Sequence, residues 1–261
     1  MIKRVICILI SLSMLLSLNF VNVFAKSADI DETRLSALKG LGIVKNYQDE
    51  TKMFEPMNKS TFISCLLNLI YDGKFQAGYD EEALKTAEAL KMINDAASVS
   101  EDDVLKGEEA VKMAMCLLGY GDICMRVGGY PFGFLTMADR IGVTDGITVK
   151  NEMTNADAYK LLYNTMTAGI VDIEAVGVHG DEYVNYYTQY EDVTILNIYR
   201  KIFEVEGIVD ANRTTGLYET SGTADDSVKI DGMLVRDPEN LLFDSVGLRV
   251  NAFVKKEDNG M

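Results

Sequence analysis

Met137-Ala138-Asp139-Arg140-Ile141-Gly142-Val143-Thr144-Asp145-Gly146, followed by Met153-Thr154-Asn155-Ala156-Asp157-Ala158 and then Leu161-Leu162-Tyr163-Asn164, is the stretch on which the fold turns. Its first part closes a helix read from Phe134 to Ile141, because Gly142 stops the apolar periodicity where a helix C-terminus favours glycine. Its second part opens another. Thr154 is a good N-cap, and Ala158, Leu161, Leu162 and Met166 recur at helical spacing on one face of Asn155 to Thr167. The unit is therefore a helix, a polar loop and a helix, each helix with one apolar face to bury.

The same pattern lies upstream. Leu35, Leu38, Leu41 and Ile43 form the stripe of a first helix that Gly40 and Gly42 end. Asn58 caps a second from Lys59 to Tyr71, with Phe62, Cys65, Leu66, Leu69 and Ile70 inward. A further pair runs from Glu82 to Met92 and from Gly107 to Leu118, and the turn-rich Gly128-Gly129-Tyr130-Pro131-Phe132-Gly133 leads into the third unit. The repeat recurs every ~45–55 residues, the signature of units that stack because none can bury its face alone. Leu66, Leu117 and Leu162 are expected to converge on one core. Residues 26–170 read as a helical repeat domain and 171–201 as an aromatic, polar connector carrying Tyr183, Tyr186, Tyr187 and Tyr190.

Beyond the connector the periodicity changes from helical to alternating. Ile195 to Phe203 fits a short helix or a strand. Phe203 to Val209, Val228 to Asp231 and Leu248 to Val254 alternate apolar and polar residues, with turns at Asn212–Gly216, Ser221–Asp226 and Asp237–Asn240. Residues 202–261 thus read as a small antiparallel β module, and the fold class as α+β. Asn259-Gly260 is a hairpin signal with no return strand after it, so the module is expected to be truncated or continued in a longer protein.

The N-terminus is a separate object. Lys3 and Arg4 precede an apolar run from Val5 to Leu18, and Val23-Phe24-Ala25 offers small residues for cleavage. Residues 1–25 read as a secretory signal peptide, since the run of ~14 residues falls short of the ~20 that span a bilayer. A secreted mature chain without stable membrane insertion is expected. The formal charge is −15, and losing Lys3 and Arg4 makes it more negative, which excludes nucleic acid as a partner because phosphate contacts need clustered Lys and Arg. Hydrophobic residues at 48% against 25% charged are enough for a packed core. Cys65, Cys116 and Cys124 remain after cleavage. Two sit in apolar helical patterns, so free buried thiols are expected, with a Cys116–Cys124 bridge as the alternative.

Leu38-Lys39-Gly40-Leu41-Gly42-Ile43-Val44 with Phe54-Glu55-Pro56-Met57-Asn58-Lys59, then Lys106-Gly107-Glu108-Glu109-Ala110-Val111-Lys112-Met113 with Leu117-Leu118-Gly119-Tyr120-Gly121, and then the opening stretch together resemble three degenerate S-layer-homology repeats of the clostridial, Firmicute type. The resemblance covers about 33–170 and is most specific in the third unit. It implies a three-fold helical bundle that holds proteins non-covalently to secondary cell-wall polysaccharide or a peptidoglycan-linked glycan. The family's signature is Ile-Thr-Arg-Ala-Glu at the start of each second helix, where the guanidinium fork meets an anionic sugar. Here the arginine position holds Lys59, Gly107 and Asn155, and the glutamate position holds Thr61, Glu109 and Asp157. The resemblance thus offers Lys59, Glu109, Asn155 and Asp157 as glycan-contacting residues, with Lys59 the one cation kept.

Catalytic chemistry finds little to use. His179 is the only histidine, and no nucleophile elbow, Walker loop or zinc-protease helix occurs. Asp102-Asp103 and Asp225-Asp226 lie in polar loops, and no spaced acidic loop completes a calcium site. No cofactor and no metal are expected. The expected function is a non-catalytic cell-wall or S-layer protein. The alternative is the N-terminal targeting part of a longer secreted carbohydrate-active or peptidoglycan enzyme.

Overall fold

The structure is a computed structural model that describes residues 32–45, 50–179, 182–218 and 222–256. Residues 1–25, expected to be a signal peptide, and the Asn259-Gly260 pair lie outside the described residues. The fold is α+β, with the helices mostly in the N-terminal part and two antiparallel sheets after them. The chain divides into a first unit that ends at Ile195 and a second that begins at Leu196.

The first unit contains α1 (Glu32–Gly40), α2 (Lys59–Tyr71), α3 (Glu81–Ala89), α4 (Gly107–Leu117), α5 (Gly121–Val127), α6 (Phe132–Arg140) and α7 (Asn155–Thr167). The second helices of the three repeats, α2, α4 and α7, start at Lys59, Gly107 and Asn155, each 48 residues after the one before. Each packs against the other two. Just ahead of them three backbone hydrogen bonds close a ring: Met57 N–H donates to Met153 O at 2.8 Å, Met153 N–H to Leu105 O at 3.0 Å, and Leu105 N–H to Met57 O at 2.9 Å. Met57, Leu105 and Met153, also 48 residues apart, are all buried. A cyclic set of bonds at a fixed sequence interval is what a pseudo-three-fold axis requires, and buried backbone groups must find such partners.

The first helices end alike. Ile43, Met92 and Val143 donate N–H to Leu38 O, Ala87 O and Ala138 O, while Gly42, Lys91 and Gly142 donate to Lys39 O, Glu88 O and Asp139 O. This paired pattern is the Schellman motif, and its left-handed residue has φ of 67°, 57° and 79° at Gly42, Lys91 and Gly142. The second repeat therefore makes the same stop with a lysine, and α3 ends at Ala89 rather than at Met92. The shared core holds Phe62, Leu66, Leu69, Ala110, Ala114, Ala158, Leu161 and Leu162, each at 0% exposure. Every large apolar side chain buried this way stabilises by ~1.5–3 kcal/mol. Leu117 is only partly buried. The 48-residue interval places Ala114 in line with Leu66 and Leu162, so the expectation for Leu117 was three residues out of register.

The connector expected at 171–201 is instead ordered structure. β1 (Gly169–His179) pairs antiparallel with β2 (Glu182–Thr194), and α8 (Ile195–Arg200) follows. The hairpin is tied to the helices where Val171 N–H donates to Leu118 O at 3.0 Å and Tyr187 Oη–H to Asp122 Oδ2 at 3.0 Å. Arg126 lies 5.6 Å from the Tyr187 ring centroid. Clustered tyrosines and scattered carboxylates hid the strands, because the packing that selects them is tertiary.

The second unit holds β3 (Ile202–Ala211), β4 (Ser227–Ile230), β5 (Met233–Arg236) and β6 (Arg249–Lys255) in the order β5-β4-β3-β6. Its core is Val209, Val228, Ile230 and Val235, with Val205, Val250, Ala252 and Val254 partly buried against it. β5 was not anticipated, although Asp231-Gly232, with φ of 44° and 80°, is the turn that makes a tight hairpin with β4.

Candidate functional site

Lys59, Gly107 and Asn155, the first residues of α2, α4 and α7, are structurally equivalent but chemically different. Lys59 opens α2, its helix capped by Asn58 Oδ1, which accepts from Thr61 N at 3.1 Å. The Lys59 backbone N–H donates to Asp103 O of the second repeat at 2.8 Å, which fixes the helix start against the neighbouring loop. Its ammonium reaches across to Glu109 Oε2 at 3.0 Å. The two side chains are 17% and 28% exposed, so this ion pair is partly shielded from solvent.

Around that pair lies a groove of about 590 Å³ lined by Lys59, Asp103, Lys106, Glu108, Glu109 and Glu152, with Val104 and Asn151. Residues of all three repeats line it. Asp103 is held below the ordinary carboxylate range by hydrogen bonds from the Ser100 hydroxyl and backbone N–H, with smaller help from Lys59 and Lys106. Glu108, which lines the groove, hydrogen-bonds to the Tyr130 hydroxyl. Burial first, and then the charges of Glu108 and Glu109, push that phenol up to about 12, so it stays protonated and able to donate. Carboxylates outnumber ammonium groups along the groove. A polyanion therefore meets two ammonium groups there, Lys59 and Lys106, and reaches Lys59 only by competing with Glu109.

The other two positions are closed. At Gly107 the backbone N–H donates to Lys150 O at 2.9 Å, and a Cβ would stand 2.7 Å from that oxygen and 2.7 Å from Val149 Cγ1. No arginine fits there. The Asn155 side-chain amide donates to Lys52 O at 2.8 Å. Asp157 is almost fully buried, accepting from the Thr154 hydroxyl at 3.1 Å and facing Lys150 Nζ at 3.5 Å, and its N–H completes the cap on Thr154 Oγ1 at 3.2 Å. The structure thus brings Lys59 and Glu109 together in one groove and uses Asn155 and Asp157 to hold the repeats and the α7 start.

Two further features lie outside the Lys59 groove. Arg34 lies 5.2 Å over the Tyr163 ring in a second hollow of about 410 Å³, lined also by Asp145, Asn164 and Thr167. Asn68 and Asn164 occupy equivalent places on α2 and α7. Asn68 accepts from Phe75 N at 2.9 Å and donates to Phe75 O at 3.0 Å, while Asn164 donates to Val143 O at 3.1 Å and Asp145 O at 3.0 Å. Cys116 stands at that position in α4. The 48-residue interval, applied to the sequence, is the signal that finds this set.

Cys65, Cys116 and Cys124 are free. Burial pushes their thiols up, to about 12, 11 and 12. Among the described residues no group of three His, Cys, Asp or Glu is placed to hold a metal, and no helix is long and apolar enough to cross a membrane. Comparison with protein-family models, curated proteins and solved structures gives no match.

Proposed function

We propose that this chain is a secreted, non-catalytic cell-envelope protein that associates weakly with a cell-wall polysaccharide through the groove at Lys59. The observation that carries the reading is the ring of hydrogen bonds among Met57, Leu105 and Met153. It sets three helix starts around one axis, and beside them an inter-repeat groove holds a cation, Lys59, at the position to which the resemblance assigns a glycan-binding arginine. The charge balance supports weak rather than tight attachment, since Glu109 already satisfies Lys59 and the remaining carboxylates repel a polyanion. The reading also includes removal of residues 1–25 and residence at the cell wall or S-layer.

The test is co-sedimentation of the mature chain with purified sacculi, before and after the wall polysaccharide is stripped. Retention on intact sacculi that disappears on stripping supports the proposal. Equal recovery in the supernatant with both preparations overturns it.

A further inference from the structure

The outer edge of β6 is built to accept another strand. Lys256 N–H donates to Lys201 O at 2.8 Å and Val209 N–H to Leu248 O at 3.0 Å. With the pairing Phe203↔Val254, Val205↔Ala252 and Gly207↔Val250, this makes the even-numbered residues of β6 the ones bonded to β3. The N–H and C=O groups of Arg249, Asn251 and Phe253 therefore point away from the sheet, and among the described residues no strand pairs with that edge. Alternating donors and acceptors at strand spacing are matched by an extended polypeptide backbone.

We propose that the occupant is β6 of a second copy, paired antiparallel about a two-fold axis through Asn251. That register sets Asn251 opposite its own copy, Arg249 opposite Phe253, and Leu248 opposite Val254. Residues pointing outward on one strand then meet residues pointing outward on the other, as an antiparallel ladder requires. Leu248, 59% exposed, gains an apolar neighbour on the face already formed by Val250, Ala252 and Val254. Charge selects this register. Arg249 is neutralised within its own sheet by Glu206 at 2.8 Å, and Lys255 falls opposite Gly247. Sliding the axis to Ala252 would set Arg249 opposite Lys255 twice, a like-charge arrangement that disfavours pairing. The result is one continuous eight-stranded sheet, independent of what the groove at Lys59 binds.

Sedimentation of the mature full-length chain tests this. The wild type is expected to be dimeric at about 100 μM and monomeric at about 1 μM, the behaviour of a small interface below ~1,200 Å². Asn251→Pro removes an N–H that β3 does not use, and Leu248→Lys removes the apolar contact. Both are expected to stay monomeric at about 100 μM with unchanged circular dichroism and melting temperature. Amide exchange at Arg249, Asn251 and Phe253 should slow as wild-type concentration rises. A wild type that remains monomeric overturns the proposal, including one whose edge amides are protected at every concentration because another segment covers them. So does a dimer that survives both substitutions.

Discussion

Replacing Gly107 by alanine should destabilise the first unit, although the same change at the first turn of an ordinary helix stabilises. Gly→Ala reduces the entropy of the unfolded chain and is worth ~0.4–1 kcal/mol where the new methyl has room. At Gly107 it has none, because backbone oxygen and nitrogen of Lys150 lie 2.7 and 2.9 Å from the added carbon. Backbone cannot rotate aside as a side chain can, so the third repeat must move back and stretch the bond from Gly107 N–H to Lys150 O. Overpacking of this kind costs ~1–3 kcal/mol, which leaves a net loss of ~1–2 kcal/mol. Gly40 supplies the control, since a Cβ there meets nothing within 4 Å. Gly40→Ala should gain ~0.5 kcal/mol. Urea unfolding followed by circular dichroism resolves opposite signs of that size. A Gly107→Ala variant as stable as Gly40→Ala would refute the close approach of the second and third repeats.

Asn68→Ala leaves the buried Phe75 N–H and C=O without a partner and should cost ~2–4 kcal/mol by urea titration. Asn164→Ala, at the more exposed equivalent position, should cost less. Cys65, Cys116 and Cys124 should resist iodoacetamide at pH 8 in the native chain and react fully in urea, because burial keeps the thiols protonated. The same shifts give a pH dependence. The unfolded thiols ionise from about pH 9, where the native ones stay neutral, so stability should fall as pH rises from about 9 toward 12. A Cys65→Ala variant should show a shallower decline, measured by chemical denaturation across that range.

Much of the helical unit was legible because its signals are local. Asn58 and Thr154 name the starts of α2 and α7 through capping chemistry, and Gly42 and Gly142 name the ends of α1 and α6. Lys91 does the same work as those glycines with no local sign of it, since the left-handed conformation there is imposed by the motif around it. α5 was missed because seven residues between glycines carry too little periodicity. The hairpin of β1 and β2, most of which falls in the connector expected at 171–201, has no local signal because its strands are selected by each other and by contacts to Leu118 and Asp122. At the site, the sequence named Lys59 and Glu109 separately. Their pairing is tertiary, joining two residues 50 apart in the chain and in different repeats, and the closing of Gly107 by Lys150 is tertiary for the same reason.

The most direct test of the account is quantitative binding of the mature chain to polysaccharide-bearing sacculi, with Lys59→Ala and Glu109→Gln measured beside the wild type. If Lys59 is the groove's glycan contact and Glu109 its internal competitor, the two substitutions act in opposite directions. Lys59→Ala should lower retention, and Glu109→Gln should raise it by about tenfold, the equivalent of ~1.4 kcal/mol of released competition. The gain should shrink in high salt as the freed ammonium is screened. Retention that neither substitution changes, or that Glu109→Gln lowers as Lys59→Ala does, would contradict the account.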